Sequence, residues 1–357
     1  MKRQLRSIIV YGIIIVIFIL AIIGTLVLDG NGAQSLIFSA RDPQHPGIYS
    51  VEVKGKRILK VELLQSGSFI SCAQYGAQVY TLRYEEKNNT TDLIDAGNQI
   101  NTVFTRVNKK SKEQQVILRE QSNEHNAYIG YLYADNKYLY FLEGKEFYVC
   151  RMSIEGGEIE KLEIGAVPFP GDPRISIKNG YIFTSYIDSM KTPTLYAMNL
   201  KTLQIDKILL PELPFYSENH RSVRVTPDGD TFYYTCIDDK GKVVLYQFSF
   251  FRVNDFIKVI LCNAQKDQNL SEILCAIDGG LFFVDEDRIL SIYREGKIYQ
   301  ILDLNNISSE DYVSVYGEGD YYVIQYPQFL DANETMAYLL YKYDNKGGEK
   351  LGYFLLK

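Results

Sequence analysis

Along most of the chain, short runs in which apolar and polar residues alternate are separated by tight Gly, Asn and Asp turns. Alternation with a period of two is the spacing of a half-buried β-strand, not of a helix. One unit recurs: a turn, then a strand centred on adjacent aliphatic and aromatic residues. It reads Ala134-Asp-Asn-Lys-Tyr-Leu-Tyr-Phe141, Lys178-Asn-Gly-Tyr-Ile-Phe-Thr184, Pro227-Asp-Gly-Asp-Thr-Phe-Tyr-Tyr234, Asp278-Gly-Gly-Leu-Phe-Phe283 and Gly317-Glu-Gly-Asp-Tyr-Tyr322. Tyr75-Gly-Ala-Gln-Val-Tyr80 and Leu36-Ile-Phe38 extend the series toward the N-terminus. Such turn residues accept positive φ, which makes these hairpin signals with a mechanism.

Each unit is followed by a third strand carrying Tyr or Phe, as in Gly47-Ile-Tyr-Ser-Val-Glu-Val53 and Thr194-Leu-Tyr-Ala-Met198. A fourth follows, as in Leu203-Gln-Ile-Asp-Lys-Ile-Leu209 and Lys297-Ile-Tyr-Gln-Ile-Leu302. Four strands at intervals of roughly 40 to 60 residues form the pattern of a β-propeller blade. The phase marks Phe38, Tyr80, Tyr140, Phe183, Tyr233, Phe283 and Tyr322 predict an all-β, seven-bladed β-propeller, with six or eight blades as the alternatives. The first blade lacks its innermost strand in this reading. One sheet cannot bury both its faces alone, so the ring is expected to be one cooperative domain over residues 34–357.

The first residues have a different character. Met1-Lys-Arg-Gln-Leu-Arg6 is basic, and the run from Ser7 to Leu28 carries no charge. That run matches the ~20 residues an α-helix needs to cross a bilayer core. A cleaved signal peptide has a shorter apolar region, about 7–15 residues, and neither an Ala-x-Ala site nor a lipidation Cys follows here. Residues 7–28 are therefore expected to be an uncleaved transmembrane signal anchor. Residues 1–6 form a cytoplasmic tail, residues 29–33 a linker, and the remainder lies outside the cytoplasm by the positive-inside rule.

Ile37-Phe-Ser-Ala-Arg-Asp-Pro-Gln-His-Pro-Gly-Ile-Tyr-Ser-Val-Glu-Val-Lys-Gly-Lys-Arg-Ile-Leu-Lys-Val-Glu62 resembles a TolB-type propeller repeat. There a strand, a polar loop, an Ile-Tyr-x-Val strand, a Gly turn and an Arg-containing strand succeed one another. Asn199-Leu-Lys-Thr-Leu-Gln-Ile-Asp206 is similar to YVTN-type repeats. The resemblance implies a fold and no particular activity.

Composition narrows function by exclusion. The chain has 29 Tyr and 18 Phe but no Trp, which suits strands and rules out Trp-Asp repeats. Net charge is −6, and no basic block lies beyond the first residues, so nucleic acid is not an expected partner. Setting Lys2, Arg3 and Arg6 aside leaves the exported part more acidic still. Five Cys without CxxC spacing give no zinc or redox motif; the one disulfide left open is Cys262 with Cys275. The Asn-x-Ser/Thr matches read as chance in a chain whose composition looks bacterial. Lys109-Lys-Ser-Lys112 reads as a solvated hairpin tip, with a wall-polymer or phospholipid contact as the weaker reading.

In a propeller the short turns between first and second and between third and fourth strands lie on one face. The remaining connections lie on the other, and here those are the long ones, including 42–46, 166–173, 211–220 and 327–334. Binding is expected on that loop face, at His45, Phe169, Phe215, Tyr216, His220, Asp285, Asp287 and Phe329, the aromatic residues as an exposed patch. Asp285-Glu-Asp287 sits in a short turn, where Asp is favoured for conformational reasons. No nucleophile elbow, P-loop, EF-hand or HExxH motif occurs, so no metal and no cofactor is expected. The sequence thus predicts a non-catalytic binding or scaffolding module at the cell envelope, with a protein, peptide or glycan as partner. The alternative is a hydrolase or lyase with an acidic pocket on the loop face.

Overall fold

A computed structural model describes residues 33–356 apart from the longer connections 87–98, 124–131, 163–175, 187–193, 210–220, 226–230, 264–272, 306–312 and 343–347 and gaps of one to four residues. The expected anchor at 7–28 lies outside the described residues. Among those described, no helix is long and apolar enough to cross a membrane.

The described strands form seven antiparallel sheets in chain order. The first holds β1 (Gln34–Ala40), β2 (Gly47–Lys54) and β3 (Arg57–Ser66). The second holds β4 (Ser71–Tyr75), β5 (Gln78–Glu86), β6 (Gln99–Asn108) and β7 (Gln114–Asn123). The third holds β8 (Tyr133–Ala134), β9 (Tyr138–Glu143), β10 (Tyr148–Ser153) and β11 (Glu160–Leu162). The fourth holds β12 (Ser176–Lys178), β13 (Tyr181–Tyr186), β14 (Thr194–Asn199) and β15 (Ile205–Leu209). The fifth holds β16 (Arg221–Val225), β17 (Thr231–Ile237), β18 (Lys242–Ser249) and β19 (Arg252–Asn263). The sixth holds β20 (Ile273–Ile277), β21 (Gly280–Val284), β22 (Ile289–Arg294) and β23 (Lys297–Asp303). The seventh holds β24 (Ser314–Glu318), β25 (Tyr321–Leu330), β26 (Asn333–Lys342) and β27 (Glu349–Phe354). Tight turns set the registers. Glu295 and Gly296, at φ 49° and 78°, make the two-residue positive-φ turn whose twist matches a β-hairpin.

Strand alternation gives each sheet two faces, and among the described residues shared cores join neighbouring sheets at six junctions. Ile48 and Leu64 of the first sheet meet Val79 and Val107 of the second. Phe104 and Phe141 join the second to the third, with ring centroids 4.8 Å apart. Tyr140 and Leu142 meet Met198 of the fourth. Leu245 meets Leu281 and Tyr293 across the fifth and sixth, and Phe282 meets Tyr322 across the sixth and seventh. The seventh sheet then packs on the first. Leu36, Phe38, Tyr49 and Val51 share one core with Tyr321, Val323, Tyr338 and Leu340, so the chain closes on itself as a ring.

The first sheet has three strands where the others have four, and its bulges identify the absent one. In the outermost strands the pairing skips one aliphatic residue: Ile117 in β7, Leu261 in β19, Ile301 in β23 and Leu351 in β27. Each packs into the adjoining core. β3 skips Leu64 in the same way, and Leu64 packs likewise. β3 is therefore an outermost strand, and among the described residues the first sheet has no innermost one; residues 29–32, which could supply it, lie outside those described. In its place β1 stands beside β4 and β24, the inner strands of both neighbours.

Two readings of the sequence are corrected. Residues 327–334 do not form an irregular loop: β25 and β26 continue through most of them as a paired hairpin, down to Leu330 opposite Asn333. Pro327 is accommodated opposite Met336. Cys262 is not disulfide-bonded, so it makes no bridge with Cys275. It lies on the outermost strand of the fifth sheet and Cys275 on the innermost strand of the sixth, at opposite edges of adjacent sheets.

Phe38 is fully buried at the closure, 5.4 Å from the Tyr338 ring and 5.8 Å from that of Tyr316. Phe38→Ala is expected to cost about 3–5 kcal/mol in chemical denaturation. A cost under about 1 kcal/mol would show that the first and seventh sheets do not depend on each other.

Candidate functional site

The first sheet is asymmetric. Its face toward the seventh is apolar throughout, whereas its face toward the second changes character along the strands. At one end Ile37, Ile48 and Leu64 are apolar and join the core. At the other, by the β2–β3 turn, the same face carries Ser35, Ser50, Glu52, Lys60 and Glu62. Register puts Ser35 opposite Glu52, Glu52 opposite Lys60, and Ser50 opposite Glu62. The Ser35 and Ser50 hydroxyls are 2.8 Å apart.

Across this polar end lies the β6–β7 turn, shaped by its own side chains. The Asn108 carboxamide oxygen accepts from the amides of Lys110 and Ser111 at 2.9 and 3.1 Å, and Lys112 takes φ 63°. Between turn and sheet is a cavity of about 500 Å³, which Ala33, Lys109 and Lys110 also line. Lys110 and Ser111 at the tip are exposed, as expected from sequence, but the turn is also tied to the first sheet. Lys112 Nζ reaches Glu62 Oε1 at 2.9 Å and donates to the Leu63 carbonyl at 3.2 Å. Gln114 Nε2 donates to the Leu64 carbonyl at 3.4 Å. These donors satisfy backbone acceptors where the bulge in β3 interrupts regular pairing.

Glu62 is held by Lys60 at 2.6 Å as well as by Lys112. The hydrogen bond from Lys60, then that from Lys112, lowers its pKa. Glu52 lines the same cavity without a partner among the described residues. Hydroxyls, carboxylates and ammonium groups converge here, an arrangement that offers donors and acceptors together and suits a polar or charged ligand.

A second polar place lies at the closure. Asp42 is buried, and its Oδ1 accepts from the backbone amides of Gln44 and His45. The Tyr316 hydroxyl donates to the Ser39 carbonyl at 3.0 Å. Gln325 pairs across the strands with Tyr338. Both are fully buried, and neither the Gln325 carboxamide nor the Tyr338 hydroxyl has a hydrogen-bond partner among the described residues. Burial, and then the charge of Asp42, pushes the Tyr338 pKa well up.

Of the residues expected on the loop face, the described ones lie at the other end of the sheets from the cavity. His45 sits in the β1–β2 connection, where its carbonyl accepts from the Tyr49 hydroxyl at 3.2 Å. Asp285 builds its own turn: Oδ1 accepts from the amides of Asp287 and Ile289 at 3.1 and 2.9 Å, and Arg288 takes φ 59°. Asp287 is exposed, and its carbonyl accepts from Asn305. Phe329 lies in β25 opposite Glu334. Phe169, Phe215, Tyr216 and His220 lie outside the described residues. Among those described, no group of three His, Cys, Asp or Glu is placed to hold a metal ion. The Cys150 pKa is pushed up to about 12 by burial and by Glu143, which keeps the thiol protonated.

No family model matches the sequence, and no curated protein matches it. Solved structures do. The periplasmic gluconolactonase PpgL of Pseudomonas aeruginosa is 12% identical, with 91% of this chain and 96% of that one covered at a TM-score of 0.52. A candidate 6-phosphogluconolactonase from Bacteroides uniformis has the same identity and coverage at 0.51. TolB from Acinetobacter baumannii is looser, at 11% identity and 0.47, with 73% of this chain and 61% of that one covered, and adds nothing to the conclusion. With the closed series of antiparallel sheets, the first two likenesses establish the class: the chain has a β-propeller fold.

Two stability measurements probe these places. The lowered Glu62 value means its stabilisation is full above the ordinary carboxylate pKa of 4.5 and is lost as pH falls through the folded-state value. Glu62→Gln is expected to cost about 0.2–1 kcal/mol at neutral pH and nothing in acid. A penalty independent of pH would remove the ion pairs as its cause. Tyr338→Phe is expected to leave stability unchanged or raise it by about 1 kcal/mol. A loss above about 2 kcal/mol would mean that an ordered water satisfies the hydroxyl.

Proposed function

We propose that this chain is a seven-bladed β-propeller, held at the outer face of a membrane by residues 7–28 and working there as a binding or scaffolding module. Its partner is a protein, peptide or glycan of the cell envelope. The observation that carries this reading is the cavity between the first and second sheets. Its volume of about 500 Å³ lies within the ~300–1,000 Å³ usual for ligand sites. Its polar groups converge from β1, β2 and β3, whose backbones are fixed by strand pairing, and from the β6–β7 turn, which Lys112 ties to Glu62. The lining contains two carboxylates, Glu52 and Glu62, and Glu62 is already engaged by two lysines. The Asp285 carboxylate on the loop face is likewise engaged by backbone amides. Groups so engaged suit recognition better than proton transfer.

A photoreactive amino acid placed at Glu52, in the cavity, and separately at Asp287, on the loop face, tests the reading in the native membrane. An adduct with an envelope component is expected from Glu52 and not from Asp287. Adducts from Asp287 alone would move the site to the loop face, and adducts from neither would remove the binding role.

A further inference from the structure

The end of the ring that carries the cavity differs in two respects from the opposite end. It is the end at which the described chain begins, since Ala33 lines the cavity and β1 starts at Gln34. Around the cavity's rim it gathers cations: Lys54, Lys56, Arg57, Lys60, Lys109, Lys110 and Lys112 outnumber Glu52, Glu62, Glu113 and Glu349, while Asp135, Glu155 and Glu295 lie in turns further round the same end. Among these, Lys56 pairs with Glu349, while Lys60 and Lys112 share Glu62. Lys110 has no ion-pair partner among the described residues. Beside them Leu59, on the edge strand β3, is 51% exposed.

We propose that this rim docks on the anionic headgroups of the membrane that anchors the chain, so that the cavity opens toward the lipid surface. The inference rests on the anchored reading given above. Geometry supplies the first argument. Between an anchor ending at Leu28 and the cavity lie only residues 29–33, whose fully extended reach is roughly 17 Å. The lysine-bearing face is therefore the one held close to the bilayer. Charge supplies the second. The chain as a whole is acidic, at −6, but at physiological ionic strength fields are screened over ~8 Å. The lipid surface beneath the rim therefore senses its lysines more than the turn carboxylates Asp135, Glu155 and Glu295 further round that end, and not Asp285, Asp287 and Asp303 at the other end of the sheets. Leu59 adds an aliphatic group at the depth where basic residues and apolar side chains together hold proteins to an interface. Docking in this pose restricts the cavity's ligand to molecules that project from the lipid surface and leaves the loop face directed away from it.

The test uses the full chain reconstituted in vesicles of phosphatidylcholine, with and without phosphatidylglycerol, and an amine-reactive reagent read by mass spectrometry. Lys54, Lys56, Lys109 and Lys110 are expected to react about fivefold more slowly on the anionic vesicles. Lys161, toward the opposite end, is expected to react equally on both. Protection is expected to vanish at ~1 M salt, where the screening length falls to ~3 Å. Alkaline extraction of the same vesicles reports on the anchor separately. A chain that resists extraction but shows equal lysine reactivity on both lipids overturns the docking and leaves the anchor standing. A chain released by alkali overturns both. Protection in native membranes but not on pure lipid would assign the rim to a protein partner and overturn the lipid proposal.

Discussion

The structure depends on one contact between the ends of the chain: the apolar face of the first sheet against the seventh. Sheets of this kind expose two faces, and one of the two is left to water wherever a series stays open. Phe38, with the rings of Tyr49, Tyr316, Tyr338 and Phe354 around it, closes the series. The Tyr316 and Tyr321 hydroxyls add hydrogen bonds to the Ser39 and Gly55 carbonyls. Among the described residues, closure is made by side chains packing between sheets, without a strand contributed to one sheet by both ends of the chain. That is why the first sheet can have only three strands and still complete the ring.

The same three-stranded sheet explains where the polar chemistry collects. Its apolar face is committed to the seventh sheet. Its other face meets the second sheet through a small core of Ile48, Leu64, Val79 and Val107. Beyond that core the sheets diverge, and hydroxyls, carboxylates and lysines fill the space. On the far side, Asp42, Gln325 and Tyr338 place polar groups inside the closure itself. Buried polar groups in a seam favour one arrangement over near alternatives at some cost in stability.

Much of the fold was legible because its signal is local. The seven aromatic phase marks fall one in each of the seven sheets: Phe38 in β1, then Tyr80, Tyr140, Phe183, Tyr233, Phe283 and Tyr322 in the second strand of each later sheet. The absent inner strand could be read from spacing alone, because Phe38 has no turn-and-strand unit before it. The turn reading of Asp285 followed from residue type, and its carboxylate bonds to its own backbone. The cavity was not legible, because its walls come from positions such as Ser50 and Lys110 that no local pattern relates. Ser35, Ser50, Glu52, Lys60 and Glu62 alternate as on any solvated strand face. One cue was available: in these strands the residues between them are apolar, so a face that looked like water's side belonged to a sheet packed on both sides. The hairpin at 327–334 was misread because Pro327 signals a loop, whereas pairing with β26 continues past it to Leu330 opposite Asn333.

The closure also orders events in time. The Tyr316–Ser39 hydrogen bond spans 277 residues of chain, and the entropy of bringing such distant segments together precedes any gain from their contact. In a chain made from N- to C-terminus, the aromatic face of the first sheet exists long before the seventh is there to cover it. That face therefore waits longest for its cover, with apolar side chains in water until the ring shuts.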